Sequence, residues 1–387
     1  MVCADNLAVL FIFWCLSNTL LVKLISHKKG WIAAKASGSL AAKNYSLGAL
    51  FLAGAFILFY TVTGETSIQY IVNQQRNSAF ISVGIILLVL AAMTQSAIWP
   101  FHRWLLSSLN SPTPVSAMMH AGLVNGGGFL LVRFAPLYFN HTDLLIILFT
   151  LGMISALIGT LWKLMQTDVK RMLACSTMAQ MGFMLTECGL GLFSLAVAHL
   201  ILHGMFKSYL FLASASTAQE VRVKPPRPPS LVAFIGSCIA GFFGSIVFSF
   251  VSGHSWFSAD TTFVVMVVTL LGGIQFSLPI LHLKTLKNLP LALMFTGLFG
   301  LAYGLSVHVL TLPIGKLQLM QPQALNVFYV MGILTLILPW LGMLFMSHYK
   351  KNKRWQQYML HAYVIALNSS QPDDKTVTTH RNHYHYQ

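Results

Sequence analysis

Runs of about twenty apolar residues recur along this chain, separated by short polar links, and that recurrence decides its fold class. A hydrocarbon core of roughly 30 Å takes about 20 residues of helix, so each run is long enough to cross a bilayer. Eleven runs are found, at 4–25, 45–63, 79–99, 115–138, 143–164, 172–190, 194–218, 231–251, 261–282, 291–311 and 325–347. A spanning segment must satisfy its own main-chain hydrogen bonds, and helix-compatible lengths without strand-like alternation favour a bundle over a barrel. The expected fold is all-α: a polytopic membrane helical bundle with about 11 transmembrane segments, some of them broken.

Composition agrees, with 56% hydrophobic and only 9% charged residues and a mean hydropathy of +0.69. The net charge of +15 would suggest nucleic acid as partner of a soluble protein, but in a membrane chain excess Lys and Arg mark topology. With the link after the first run placed in the cytoplasm, that side collects Lys23, Lys28, Lys29, Lys35, Lys43, Arg103, Lys163, Lys170, Arg171, Arg222, Lys224, Arg227, Lys284, Lys287 and the basic residues of the tail. The other side receives only Arg76 and Lys316, while Arg133 and Lys207 fall inside runs. One missed or invented crossing would invert every later link. The bias therefore supports both the number of crossings and the orientation of a multi-pass membrane protein, N-terminus outside and C-terminal tail cytoplasmic. Its surroundings are the lipid bilayer, with no nucleic acid.

By polarity the chain divides into a transmembrane domain, 1–347, and a cytoplasmic tail, 348–387. Within the former, Lys224-Pro225-Pro226-Arg227-Pro228-Pro229 reads as a stiff polyproline connector between seven segments and four. In the tail, Arg354 to Leu367 reads as a short surface helix carrying Trp355, Tyr358 and Tyr363, and His380, His383 and His385 lie in a solvated end. The N-terminus enters a membrane run almost at once without a basic n-region or cleavage site, as in a shortened member of a longer family or a chain whose true start lies upstream. Cys3, Cys15, Cys175, Cys188 and Cys238 form no CxxC pair, which argues against a disulfide scaffold, an iron–sulfur site or a structural zinc; no metal or other cofactor is expected in this chain.

An ionisable side chain at the bilayer centre costs about 2.5–3.5 kcal/mol on insertion scales, so each one asks for a use. His199, His203 and Lys207 stand at i, i+4 and i+8, which aligns them on one face of one helix. That stripe reads either as a proton relay or as interhelical hydrogen-bond glue; a buried lysine is an expensive glue, which favours the relay. A second polar site is the stretch 110–120, where Pro112 and Pro114 bracket a helix start and His120 lies two turns in. Gly126, Gly127 and Gly128 follow, permitting close packing or a local break. Upstream, Thr94, Gln95 and Ser96 interrupt an apolar segment that ends at Pro100. Glu187 and Arg133 lie near segment ends and read as anchoring or snorkelling residues rather than as chemistry. No glycine-rich phosphate loop, HExxH or paired carboxylates are present, so the chain is not expected to be an enzyme.

Four blocks in this order and spacing carry a family resemblance: QSAIWPFHRWL at 95–105, SPTPVSAMMHA at 111–121, QTDVKRMLACSTMAQMGFM at 166–184 and HLILHGMFKSYLFLASAS at 199–216. They resemble the proton-conducting membrane subunits of respiratory complex I and of Mrp-type cation antiporters, most strongly over residues 80–220. The resemblance implies an antiporter-like subunit fold and places His120, His199, His203 and Lys207 on the intramembrane proton path. Two departures stand out: Gln95 where that family carries a lysine, and Cys15 where it carries a glutamate. With the wording of 94–138 and the basic stretch 35–44, these departures make the chain most similar to the DabB-type membrane subunits of bacterial two-component inorganic carbon transporters. The resemblance then implies a DabA-like soluble or peripheral partner holding a zinc ion, driven by a proton or other cation gradient through this subunit. The alternative is a proton-pumping antiporter-like subunit of a NADH–quinone oxidoreductase or membrane hydrogenase.

Overall fold

The computed structural model describes residues 1–28, 30–74, 78–214, 229–281, 286–345 and 353–377. The connector at 224–228 and the histidines at 380–385 lie outside the described residues. Helices appear at each of the eleven expected runs, and no strand forms among the described residues. In chain order they are α1 Leu7–Ile25, α2 Ile32–Thr63, α3 Ile68–Gln74, α4 Ala79–Gln95, α5 Arg103–Leu106, α6 Thr113–Ala121, α7 Gly126–Arg133, α8 Ala135–Tyr138, α9 Thr142–Met165, α10 Val169–Gly189, α11 Phe193–Ala213, α12 Leu231–Ser252, α13 Thr262–Leu281, α14 Leu289–Thr311, α15 Val327–Phe345 and α16 Lys353–Ser369. Nine stretches among the described residues are long and apolar enough to cross a membrane, with α6 and α7 together as one of them. Two expected crossings fall short of that standard: α4 has 17 residues, and α10 is less apolar, with Ser176, Thr177, Gln180, Thr186 and Glu187 among its residues.

Ends are set by short polar caps. Asn6 Oδ1 accepts from Ala8 N and Val9 N at the start of α1, and Ser230 Oγ accepts from Ala233 N at the start of α12. Gly64 and Gly253 close α2 and α12 in the left-handed conformation, at φ 73° and 75°, which a side chain would strain. The expected link at 26–44 is mostly helix: α2 begins at Ile32, thirteen residues before the expected run at 45, because Ala33, Ala34, Ser37, Gly38 and Ala41 give it a small, buried face despite Lys35 and Lys43.

Two compact units form. The first contains residues 1–189, 199–219 and 362–387. In it α9 and α10 pack closest, through small residues. A Cβ on Gly182 would stand 2.5 Å from Ala156 N and 2.8 Å from Gly152 O, so the two backbones meet there with no room for a side chain. The tail helix α16 forms where expected, and its C-terminal extension is held firmly: Asn110 Nδ2 donates to Thr376 O at 2.6 Å, Asp373 N to Ser107 Oγ at 3.0 Å, and Gln166 Nε2 to Ser370 Oγ at 2.8 Å. Arg133, read from sequence as an anchor, binds Ala4 O and the Asp5 carboxylate at 3.1 and 3.2 Å. Asp5 also accepts from Ser67 Oγ and Gln69 N; the Ser67 hydroxyl above all holds its carboxyl below the usual range.

The second unit contains residues 190–198 and 220–361. Its α12 packs against α13 through Gly241 and Gly273, and against α14 through Gly244, Thr296 and Gly300. One loop knot ties it: Thr261 Oγ1 donates to Leu190 O at 2.6 Å, and Thr261 N donates to Gln323 O at 2.8 Å.

Gly182→Leu forces α9 and α10 apart, a cost of about 1–3 kcal/mol. The expected outcome is a thermal-unfolding midpoint several degrees below wild type for the detergent-purified protein. Gly272→Leu, at a position with nothing within 4 Å of a new Cβ, is expected to leave the midpoint unchanged.

Candidate functional site: a buried histidine–lysine line

The site begins with two interrupted helices. α4 stops at Gln95, and Ala97 adopts the left-handed conformation at φ 53°, so the chain turns at a depth where its carbonyls need donors. Side chains supply them. Asn44 Nδ2 and Trp104 Nε1 both donate to Thr94 O, at 2.9 and 3.1 Å. The second interruption is a 3₁₀ turn, Leu123–Asn125, between α6 and α7; it lies just before the three glycines rather than at them. Gln95 Nε2 donates to Leu123 O at 3.0 Å and Ser96 Oγ to Val124 O at 2.7 Å, so the end of α4 satisfies the carbonyls of the second interruption. The glycines serve close packing: Gly126 lies on Gln95, Gly127 on Ala92 O and Ser96 Oγ, and Gly128 on Met184 and Leu200. Pro112 caps α6 and Pro114 sits in its first turn, where a missing N–H costs nothing. Pro100 lies within the turn that follows the α4 interruption, closed by Phe101 N donating to Ile98 O at 2.7 Å.

α11 then crosses the second interruption. Asn125 Nδ2 donates to both Ala121 O and Leu200 O, at 2.9 and 3.1 Å, and a Cβ on Gly204 would stand 2.8 Å from Ala121 O. This close approach brings the α11 stripe to His120 on α6. His120 and Lys207 are 0% and 1% exposed. Lys207 Nζ donates to Leu173 O of α10 at 2.9 Å, and among the described residues no carboxylate lies within ion-pair distance of it. Thr177 Oγ1 donates to the same carbonyl at 3.0 Å and stands 3.1 Å from His120 Nδ1. Since the threonine hydroxyl proton is spent on Leu173 O, its lone pair takes the His120 Nδ1–H. His120 Nε2 is left as the lone-pair nitrogen, buried without a partner among the described residues, and its ring stacks on Phe211 at 4.3 Å. His120 and Lys207 thus meet on one carbonyl through Thr177.

The remaining stripe continues along α11. His203 faces the His120 main chain, and its Nε2 is likewise buried without a partner among the described residues. His199 follows with ring centroids 6.1 Å from His203, and its Nδ1 lies 2.9 Å from Glu187 Oε2. Glu187 is 4% exposed and paired, not an anchor at the lipid boundary as the sequence suggested.

The structure therefore joins His120, His199, His203 and Lys207. Gln95 stands apart in the α4 interruption, donating to Asn18 Oδ1 at 3.0 Å and bordering a cavity of about 440 Å³ with Trp14, Ser17 and Asn18. Sequence reasoning missed Thr177 and Asn125, ordinary helix residues whose meaning comes from the neighbouring helix. Among the described residues no three His, Cys, Asp or Glu side chains converge as a metal site would need.

A family model described as NADH:quinone oxidoreductase/Mrp antiporter, transmembrane, matches residues 4–225. The chain belongs to this family. A "Probable inorganic carbon transporter subunit DabB" of Bacillus anthracis is 40% identical over 64% of this chain and 50% of its own length. A protein of the same name from Bacillus subtilis is 41% identical over 55% of this chain and 43% of its own length. An "NAD(P)H-quinone oxidoreductase subunit 5, chloroplastic" of Lemna minor is 34% identical over 56% of this chain and 30% of its own length. The chain spans about half the length of the curated relatives it matches first. Among solved structures, the Mrp complex from Dietzia sp. DQ12-45-1b aligns with 95% of this chain and 46% of its own at a TM-score of 0.53 and 21% identity, a likeness of fold. The antiporter-like membrane fold and the DabB resemblance expected from the sequence are borne out.

Thr177→Val leaves the His120 Nδ1–H unpaired in the interior, which costs about 1–3 kcal/mol. The unfolding midpoint is expected to fall in Thr177→Val and to stay near wild type in Thr177→Ser. A Val variant as stable as wild type would break the hydrogen-bond chain described here.

Proposed function

We propose that this chain is the membrane subunit of an energy-coupled inorganic carbon transporter, passing protons or another cation to drive a zinc-containing DabA-like partner. The observation that carries the reading is Lys207: a fully buried amine held by a main-chain carbonyl and aligned with the buried imidazoles of His120 and His203 and the largely buried one of His199. Glue needs no titratable group, whereas a relay needs several in line. Protons step along His199, His203, His120 and Lys207 through intervening water, and the lysine's charge state biases the surrounding helices. The CO2 or bicarbonate chemistry belongs to the partner, whose zinc supplies a metal-bound water. The names of the relatives at about 40% identity support the carbon-transport assignment. The excess of Lys and Arg on alternate links supports a cell inner membrane location, N-terminus outside and tail cytoplasmic.

The competing assignment, a subunit of a NADH–quinone oxidoreductase or membrane hydrogenase, draws on the relatives at 34% identity. Gln95 and Cys15 weigh against it, because the glutamine amide has no titratable proton and a thiol is a far weaker acid than the glutamate expected there.

Lys207→Ala is expected to abolish uptake of isotope-labelled inorganic carbon in cells that carry this chain with its partner, while membrane insertion persists. Uptake at wild-type rate assigns the stripe to glue. Dissipating the proton gradient, and the sodium gradient with it, is expected to collapse accumulation in the same cells. Undiminished accumulation after both are lost excludes the gradient-driven reading.

A further inference from the structure

The relay as proposed has its lysine at one end, but nothing in it says where a proton enters at the other. Leu173 and Glu187 mark the two ends on α10, fourteen residues or about 21 Å apart in helical rise. Lys207 and His199 mark them on the antiparallel α11, where Lys207 meets Leu173 and His199 meets Glu187. The line therefore terminates, at the C-terminal end of α10, in a carboxylate–imidazole pair.

That pair is buried on both sides, at 5% exposure for the glutamate side chain and 10% for the histidine side chain, with 2.9 Å between Oε2 and Nδ1. The Phe183 ring lies 5.7 Å from the His199 ring. A pair used only to hold two helices together could be replaced by packed apolar side chains at equal or better stability. A pair that shares a proton could not. The groups facing it among the described residues are Cys188 on its own helix, which lies near Tyr138 of α8, and His203 one turn along α11.

We infer that Glu187 and His199 form one proton-loading site at the end of the line. This rests on the relay reading above and adds to it the residue that feeds the relay. A proton from the aqueous phase binds Glu187 Oε2 and passes to His199 Nδ1. The ring then releases its Nε2 proton toward His203, and the electron pairs stay on their own atoms, so the step is a transfer of one proton with no redox change. On the proposed orientation this end faces the outside, where inward-driven protons arrive. Glu187 is here a group that carries the transported proton, and the carboxyl function itself is what the site requires.

The test is proton flux into proteoliposomes holding this chain with its zinc-bearing partner, read by a trapped pH dye under an imposed gradient. Glu187→Gln keeps the size and one acceptor for His199 but carries no proton, and at least a tenfold loss of flux is expected in complexes that assemble normally. Glu187→Asp keeps the carboxyl and is expected to hold more flux than the Gln variant, with a shifted pH profile. His199→Gln is expected to match Glu187→Gln, and the double variant to be no worse than either. Equal flux in the Gln and Asp variants, whether high or low, overturns the loading site. Lys207→Ala separates this failure from that of the relay: if it abolishes flux while Glu187→Gln does not, the relay stands without this entrance. If Lys207→Ala also conducts, relay and loading site fall together.

Discussion

A main-chain carbonyl freed at membrane depth has no water to turn to, and the architecture of this chain is organised around answering that need. The carbonyls of Thr94, Leu123 and Val124 lie where α4 and the α6–α7 segment are interrupted, and Asn44, Trp104, Gln95 and Ser96 donate to them. Because the donors of one interruption reach the carbonyls of the other, neither can shift alone. His120 is thereby fixed at a set depth, and Asn125 sets where α11 passes it.

The same logic places the lysine. Leu173 O accepts from both Thr177 Oγ1 and Lys207 Nζ, so an ordinary helix carbonyl doubles as the seat of a buried amine. An amine fixed by a carbonyl rather than by a carboxylate keeps no permanent counter-charge. Its protonation can therefore change without breaking an ion pair, and the cost of charging it falls on the surrounding helices. At the other end of α11 the arrangement is reversed, with Glu187 and His199 able to share one proton at no net change in charge. A line that is neutral at its entrance and ends in a lysine whose charge can change is a physical basis for coupling ion movement to a shape change.

Much of this was legible in the sequence. The i, i+4, i+8 spacing of His199, His203 and Lys207 survives because a helical stripe is a property of one segment, and the eleven apolar runs are helices for the same reason. Thr177, Asn125 and Glu187 were not legible as site residues, since their roles arise only when α10 lies antiparallel to α11 and the α6 interruption touches Leu200 O. The extension of α2 to Ile32 was hidden by the lysines and serines within it. The docking of 370–377 was hidden by its polarity, which serves hydrogen bonds to Ser107, Asn110 and Gln166.

The central claim is that protons move along the imidazole line, and the link that tests it with least disturbance is His203, which holds no ion pair and whose Nε2 is unpartnered among the described residues. The measurement is dye-detected proton entry into proteoliposomes containing the assembled complex, compared between wild type and His203→Gln at equal protein content. The account predicts gradient-driven entry in wild type and its loss in the variant. Equal entry in the two would contradict it.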